Sequence, residues 1–468
     1  MALPYSTKML QVCHVPPFTD SPESKKHFSL PLTYFDTFWF RFFPVKRVFF
    51  YSLPETKNTF FNSVLPNLKH SLSLTLHYFL PLAGKLTWPQ DSPKPLVLYT
   101  PGDVVSVSIA ESDADFDLLT SNNAFPSSLL SPLVSSLHVS ETGASVIALQ
   151  ITVFPNHGFS IGITAHHAVL DGKSSMMFLK SWAYLSKQNP PLLPELTPFY
   201  DRTVIKDPSG FDMKFLNYWI GNPGSTSSDC RNNPKLYEFY QFPSSGGPSD
   251  LYRATFELSR SDIDKLRQRV SSNWDSSKPE LQLSSFVLTY AYVFYCIIKA
   301  TEGDESKRKV ILGFVADYRN RLTPPVPENY FGNCVRSKFS DDMREQMHGS
   351  KEDSLTSVVA KTSGLVKELG KEKDFKKEEE LLLKMTSKQS EISYFVGVAG
   401  SPKFGFYGID FGWGRPKKVS VVSLSNGSIS MAECRDGNGG VEVGLVLEKY
   451  EMDVFGSVFV AGLSTNIP

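Results

Sequence analysis

The stretch VIALQITVFPNHGFSIGITAHHAVLDGKSSMMFLKSWAYLS, residues 146–186, predicts two neighbouring strands followed by a helix. Its first and middle parts are largely apolar, and the PNHG turn at 155–158 separates them. Residues 173–186 carry apolar side chains at helical spacing. The second strand therefore delivers a His-His pair and an aspartate to a strand-to-helix junction, where a pocket can open.

The three polar residues at this junction are His166, His167 and Asp171. Neutral imidazole accepts a proton near neutral pH, and Asp171 either orients the ring or fixes the loop. From spacing alone, a buried structural histidine beside a turn-forming Asp-Gly is the simpler interpretation, because H-x-x-x-D is a loose pattern. Strand alternation points His166 away from His167, so we assign His166 to packing.

The composition excludes several classes of protein. The 468 residues contain 48 basic and 48 acidic side chains, so no net charge favours nucleic acid. The length predicts two to four domains, and apolar residues make up 41%, which is enough for a large core. The five cysteines are widely spaced without C-x-x-C, which indicates neither a disulfide framework nor zinc and fits the cytoplasm. We expect neither a secretory signal nor a membrane span.

Residues 188–225 are rich in proline and lack periodicity, which predicts a linker between domains 1–187 and 226–468. The pattern predicts helices over 60–80, 259–270 and 284–300, and a strand from 309 that ends in a charged cluster. From residue 417 onward, it predicts a meander of three antiparallel strands, with an Asn-Gly turn between the first two.

A competing pattern for a serine hydrolase lies within the same stretch. Gly158-Phe159-Ser160-Ile161-Gly162 fits G-x-S-x-G, the nucleophile elbow. That elbow must follow a strand and open a helix, whereas this one leaves a turn and enters a strand. We therefore expect Ser160 in the sheet and not in a catalytic site.

Further motifs downstream make the chain resemble a known family. DYRNR at 317–321, YFGNC at 330–334 and DFGWG at 410–414 follow H-x-x-x-D in that order. Together they resemble the plant BAHD family of CoA-dependent acyltransferases. Three tracts resemble the branch that acylates sugars of anthocyanins and other flavonoid glycosides: NLKHSLSLTLHYFLPLAGKL, TPFYDRTVIKDP and AGSPKFGFYGIDFGWGRPKK.

The resemblance implies an α/β fold with two similar-sized, chloramphenicol acetyltransferase-like domains. A long crossover loop joins them, matching 188–225, and a solvent tunnel lies between them. His167 then matches a general base that deprotonates an acceptor hydroxyl, which attacks the thioester of an acyl-CoA in a ternary complex. His167 returns the proton to the departing CoA, so neither an acyl-enzyme, a bound cofactor nor a metal is implied.

The resemblance gives supporting roles to the other motif residues. Asp171, followed by Gly172, is implied to be structural through an ion pair, and Arg319 is our candidate partner, although a surface pairing of Arg319 is equally consistent. The DFGWG loop is implied to support the fold, with a second acid/base role for Asp410 as the alternative. The remaining members of that loop are Phe411, Gly412, Trp413 and Gly414.

Donor binding is harder to locate, because the chain has no glycine-rich phosphate loop. CoA phosphates need cations or helix N-termini. In relatives, the part of the chain that faces CoA corresponds here to Lys265, Arg267, Ser284 and Ser285. Ordinary surface charge and an ordinary helix cap explain these four residues equally well.

The function that we predict is transfer of an acyl group, preferably malonyl, from acyl-CoA to a sugar hydroxyl of a phenolic glycoside. A malonyl carboxylate needs a cation, for which Lys173, Arg41 and Arg47 are candidates unless they face solvent. The Phe-rich stretch at 33–43 suits a flat aromatic guest. One alternative is a hydroxycinnamoyl-CoA donor with the same acceptors. Another is a catalytically inactive binding relative, which the intact His167 and Asp171 argue against. Relatives suggest a monomer, and the absence of targeting signals suggests the cytoplasm. The balanced charge and the lack of a long apolar run predict neither nucleic-acid nor membrane partners.

Overall fold

The computed structural model describes residues 5–19, 27–53, 57–220, 233, 235–240, 250–303, 309–343, 354–371, 375–386 and 394–464. The described strands are β1 Thr7–Val15, β2 Phe28–Pro31, β3 Val45–Ser52, β4 Lys85–Thr87, β5 Leu96–Tyr99, β6 Val105–Ser112, β7 Phe125–Pro126, β8 Val139–Ser140, β9 Gly143–Ser145, β10 Ile147–Phe154, β11 Gly158–Ala165, β12 Leu251–Leu258, β13 Val310–Asp317, β14 Val335–Asp342, β15 Tyr394–Gly400, β16 Lys418–Val421, β17 Ile429–Glu433 and β18 Val441–Glu448.

The described α-helices are α1 Tyr34–Thr37, α2 Lys57–Thr59, α3 Leu65–Tyr78, α4 Leu80–Ala83, α5 Phe116–Thr120, α6 Gly172–Leu185, α7 Phe211–Trp219, α8 Arg260–Asn273, α9 Ser285–Ala300, α10 Ser354–Lys367, α11 Lys376–Thr386 and α12 Lys449–Ser464. A π-helical turn, Phe60–Val64, precedes α3. The helices predicted over 60–80, 259–270 and 284–300 are present. Helix α8 begins with a capping box in which Ser259 and Asp262 exchange hydrogen bonds, as its sequence predicts.

Two large mixed sheets form the framework. One has the order β1-β6-β10-β11-β3-β16 and the other the order β14-β13-β15-β17-β18-β12-β7. The predicted hairpin is β10–β11, paired in register from Ile147 with Ala165 to Phe154 with Gly158. Both of its strands are buried along their full length, which explains why they read as continuous apolar runs.

The sheets exchange strands across the predicted linker. Strand β16 pairs with β3 in the first sheet, and β7 pairs with β12 in the second. The three-stranded meander predicted from residue 417 is therefore wrong in its first strand: only β17 and β18 pair as antiparallel neighbours. Gly427 is left-handed, with φ of 78°, so the predicted Asn-Gly turn is present, but it connects two sheets instead of closing a hairpin.

The crossover segment is packed against the second half of the chain. Its described part contains one α-helix, α7. Phe199 forms a parallel bridge with Tyr330, and Arg202 donates a hydrogen bond of 2.7 Å to the carbonyl of Phe331. The described part of this segment therefore braces YFGNC. Residues 221–225 of the predicted linker lie outside the described residues.

Candidate active site

His167 is the second residue after β11 and lies against aromatic side chains. Its ring stacks on Trp39, with centroids 4.1 Å apart and planes at 8°. Phe42 contacts the same ring edge-on at 5.6 Å. The two aromatic side chains come from the stretch after α1, so distant parts of the chain fix the plane of the imidazole.

The environment of His167 keeps its ring neutral. Burial lowers its pKa from 6.5 to about 4, although the backbone carbonyl of His167 and the Asp171 carboxylate act in the opposite direction. Its Nδ1 is buried and makes no hydrogen bond of good geometry. A ring that is neutral at pH 7 has a free lone pair, which is the form of His167 that can accept a proton.

The contacts of His166 fit the packing role that the sequence predicts. It is fully buried, its Nδ1 accepts the N–H of Ala168 at 3.2 Å, and its ring contacts Phe239 instead of the aromatic side chains around His167. Burial and the neighbouring His167 lower its pKa to about 3.

Asp171 is the N-cap of α6. Its Oδ1 accepts the N–H of Ser174 at 2.8 Å. Its Oδ2 accepts Nη1 of Arg319 at 2.8 Å and the N–H of Cys334 at 3.1 Å. Both carboxylate oxygens are therefore occupied by groups that fix the loop, and neither is hydrogen-bonded to the His167 ring. Gly172 follows, and a Cβ there would lie 2.7 Å from the ring of Phe404.

Arg319 is the partner that the sequence proposed for Asp171, and its side chain is fully buried. It also donates to Oδ1 of Asp317 at 3.0 Å and to the carbonyls of Tyr330 and Gly332 at 3.0 and 3.1 Å. Burial is the largest single effect and lowers its pKa, but the charges of Asp171 and Asp317 and the hydrogen bond to Asp171 act together in the opposite direction, and the pKa is raised. The surface alternative for Arg319 is therefore excluded.

Sequence reasoning missed a second buried carboxylate, Asp36 in α1. Its Oδ1 accepts the backbone and side-chain N–H groups of Asn333 at 2.9 and 3.1 Å. The same Asn333 side chain donates to the carbonyl of His167 at 2.9 Å. Asp36 and Asn333 thus hold the His167 peptide. The signal for Asn333 in the sequence is the YFGNC motif, which contains it, whereas no motif marks Asp36.

The DFGWG loop packs on itself and on α6. Oδ1 of Asp410 accepts the N–H groups of Gly412 and Gly414 at 2.8 and 3.0 Å, and its Oδ2 lies 3.6 Å from Nζ of Lys187. Both glycines have φ near +100°, a conformation that favours glycine. Phe411 is buried edge-on against Trp182 at 4.9 Å.

Two independent contacts place this loop far from His167. Trp413 contacts Phe159, at the start of β11, whereas His167 follows its end, about 25 Å away at ~3.3 Å per residue. Lys187 follows the end of α6, whereas Asp171 caps its start, about 21 Å away at ~1.5 Å per residue. Asp410 therefore lacks the proximity that a second acid/base needs.

The four residues expected to face CoA lie on α8 and α9. Arg267 pairs with Asp264 and donates to the carbonyl of Leu283 at 3.3 Å, which brings it next to Ser284 and Ser285. Ser284 caps α9 by accepting the N–H of Val287 at 3.3 Å, and Ser285 is its first residue. Lys265 is exposed and lies 3.4 Å from Asp262. All four side chains remain on the surface or at the helix end.

The candidate cations for a malonyl carboxylate differ in their partners. Lys173 pairs with Glu328 and lies 3.4 Å from Asp317. Arg41 donates to the carbonyls of Glu238 and Trp219 at 2.7 and 3.0 Å. Arg47 is buried in β3 and has no ion pair or side-chain hydrogen bond among the described residues.

The hydrolase pattern has no catalytic geometry. Ser160 is fully buried in the middle of β11, where it pairs with Phe50 of β3. A nucleophile elbow requires an exposed serine at a strand-to-helix turn. Within the described ranges, no helix has the length and apolarity to cross a bilayer, and no three metal-ligating side chains converge.

Known proteins resemble this chain over nearly its full length. Phenolic glucoside malonyltransferase 1 of Arabidopsis thaliana is 46% identical over 98% of this chain and 98% of its own. The Arabidopsis malonyl-CoA:anthocyanidin 5-O-glucoside-6''-O-malonyltransferase is 42% identical over 95% of this chain and 96% of its own. The crystal structure of vinorine synthase matches the fold with a TM-score of 0.68, covering 97% of this chain and 98% of its own at 19% identity.

The family assignment rests on the whole chain. A sequence model described as the Transferase family matches residues 17–461. The two malonyltransferases agree with it, and the vinorine synthase structure shares the two-sheet α/β architecture. The chain therefore belongs to the Transferase family of BAHD acyltransferases.

Proposed function

We propose that this enzyme transfers a malonyl group from malonyl-CoA to a sugar hydroxyl of a phenolic glucoside. The observation that carries the reaction type is a neutral, stacked His167 whose carbonyl accepts a hydrogen bond from Asn333 and whose neighbouring loop is fixed by the buried Asp171–Arg319 ion pair. The malonyl donor and glucoside acceptor are supported by the activities of two relatives. Their sequence similarity extends over almost the entire length of this chain.

In the proposed mechanism, His167 removes the proton of the acceptor hydroxyl as its oxygen attacks the thioester carbonyl. The C–O bond forms and a tetrahedral oxyanion results. Its collapse breaks the C–S bond, and His167 returns the proton to the CoA sulfur. Asp171 and Arg319 act by holding the loop, whereas Asp36 and Asn333 hold the His167 carbonyl. Transfer is direct, so no serine or cysteine is acylated.

The other assignments support this site in the proposal. The DFGWG loop stabilises α6 and β11, and Arg267 with Ser284 and Ser285 contributes to the CoA surface. We retain 1–187 and 226–468 as the domains, with one strand exchanged in each direction. We propose a tunnel between them for the two substrates. A cytoplasmic monomer fits the described cysteines, which are all unpaired.

A donor competition tests the proposed function. Purified protein is mixed with equal malonyl-CoA and p-coumaroyl-CoA and a panel of flavonoid, anthocyanin and simple phenolic glucosides. We expect malonylated glucosides as the main products by mass spectrometry. Coumaroylated products as the main products would contradict the malonyl donor and favour the alternative, a hydroxycinnamoyl-CoA donor. Binding of substrates without any product would indicate the inactive relative.

The pH dependence of turnover tests the state of His167. With its pKa lowered by burial to about 4, we expect kcat to stay on its plateau well below pH 6.5. Between pH 6.5 and about 4, the unfolded chain binds more protons at His166 and His167 than the folded protein does. The melting temperature should therefore decrease as the pH is lowered through this range. An acid limb of kcat centred near 6.5, at unchanged melting temperature, would contradict this environment.

A further inference from the structure

Among the described residues, Arg47 is a buried cation that contacts an aromatic ring but forms no ion pair. Its residue is 7% exposed, its Nε is buried without a hydrogen-bond partner, and it takes part in no ion pair among the described residues. Burial lowers its pKa to about 10, which still leaves it charged at neutral pH. Burying an unpaired charge is costly, so this position favours a counter-charge that the described residues do not supply.

Glu433, the acid that acts on Arg47, does not pair with its charge. Glu433 raises the pKa of Arg47 by its charge, but it does not come within ion-pair distance. Its Oε1 accepts the N–H of Tyr407 at 2.8 Å, and its Oε2 is buried without a partner. The guanidinium lies instead over the ring of Phe406, 4.3 Å from its centroid.

The strand register places Arg47 on the face of the sheet that leads to His167. Arg47 pairs with Ile163, and paired residues project to the same face. Strand β11 ends at Ala165, and His167 follows two residues later, about 13 Å along the chain from Ile163 at ~3.3 Å per residue. Ile163 and Trp39, which stacks on the His167 ring, belong to the same hydrophobic cluster. An extended arginine and a malonyl group at the reacting carbon together cover this span.

An aromatic pair links the same two points. Phe406, under the guanidinium, contacts Phe404 with ring centroids 5.5 Å apart. Phe404 lies against Gly172, beside the Asp171 cap. The guanidinium is therefore connected through two rings to the loop that carries His167.

We propose that Arg47 binds the free carboxylate of the malonyl donor and so selects malonyl-CoA over uncharged acyl-CoA donors. This inference rests on the proposed function and assigns its donor specificity to one side chain. The other two candidate cations are engaged: Lys173 by two carboxylates and Arg41 by two backbone carbonyls. A guanidinium suits a carboxylate because its planar donors bind both oxygens.

The test compares malonyl-CoA with acetyl-CoA, which lacks the carboxylate, in the full-length protein. For Arg47→Gln we expect kcat/KM with malonyl-CoA to fall roughly 10- to 100-fold, the range of a charge-assisted hydrogen-bonded pair. Acetyl transfer and acetyl-CoA binding should be unchanged. The matched control is Lys46→Gln, which removes a charge from the opposite face of the same strand and should leave both donors unaffected.

Two further results would overturn the inference. An equal loss for both donors in Arg47→Gln, reproduced by Glu433→Gln, would make Arg47 a structural partner of Glu433. If Arg47→Gln does not fold, Arg47→Lys keeps the charge, and an unchanged malonyl-to-acetyl ratio there would exclude bidentate recognition. A wild-type protein that transfers no malonyl would overturn the proposed function itself, and this result is visible before any variant is made.

Discussion

Replacing His167 with alanine is expected to lower kcat about 100- to 10,000-fold, the contribution typical of a general acid–base group. The loss follows because no other described side chain next to the ring can take the acceptor proton, and Asp171 is fully occupied by the loop. Initial rates with saturating malonyl-CoA and a phenolic glucoside measure the effect.

The control for this experiment is stability. The His167 ring contacts Trp39 and Phe42, which pack independently of it, so His167→Ala should unfold cooperatively within a few degrees of the wild type. Ser160→Ala is the matched variant from β11, the strand that precedes His167, and should retain most of the activity. Normal turnover in His167→Ala, or a comparable loss in Ser160→Ala, would contradict the assigned base.

Replacing Arg319 with methionine is expected to destabilise the fold by about 3–5 kcal/mol, the cost of leaving a buried charge uncompensated. Asp171 would lose its ionic partner, and the carbonyls of Tyr330 and Gly332 would lose a donor. Activity should fall with stability because the loop that carries His167 is no longer fixed. Thermal and denaturant unfolding measure the loss.

A nearby arginine and a double variant separate the buried pair from a general charge effect. Arg321→Met lies in the same turn but on the surface, so it should have little effect on stability. Adding Asp171→Asn to Arg319→Met removes the uncompensated charge. The double variant should therefore lose less free energy of unfolding than the two single variants lose together. Strict additivity would mean that the two residues do not stabilise each other.

Local pattern was sufficient to predict the elements that carry the site. Apolar runs predicted β10 and β11, helical spacing predicted α6, and the Asp-Gly step marked the point where α6 begins. These features depend on neighbours within a few residues, which a single sequence displays directly.

Long-range pairing was not predictable in the same way. Asp36 meets Asn333 across 297 residues, and nothing in either local segment specifies that contact. Strand β16 has the alternation of a meander strand, but it completes the edge of the other sheet, where it pairs with β3. A period of two identifies a strand without identifying its neighbour.

The residues that could bind the donor carboxylate show the same difference between what local sequence predicts and what long-range contacts determine. Sequence chemistry reduced the carboxylate-binding cations to Lys173, Arg41 and Arg47, but their partners decide among them, and those partners are distant in sequence. The resemblance located the motifs, whereas the structure separates groups that hold the loop, such as Asp171 and Arg319, from the ring that they position.

The most direct test of the account is to record the product and the intact protein mass in one quenched sample of enzyme, malonyl-CoA and a phenolic glucoside. We predict malonylated glucoside, a matching amount of free CoA and a protein of unchanged mass, since His167 transfers the group within a ternary complex. A malonylated protein, or free malonate formed in place of the glucoside ester, would contradict direct acyl transfer at this site.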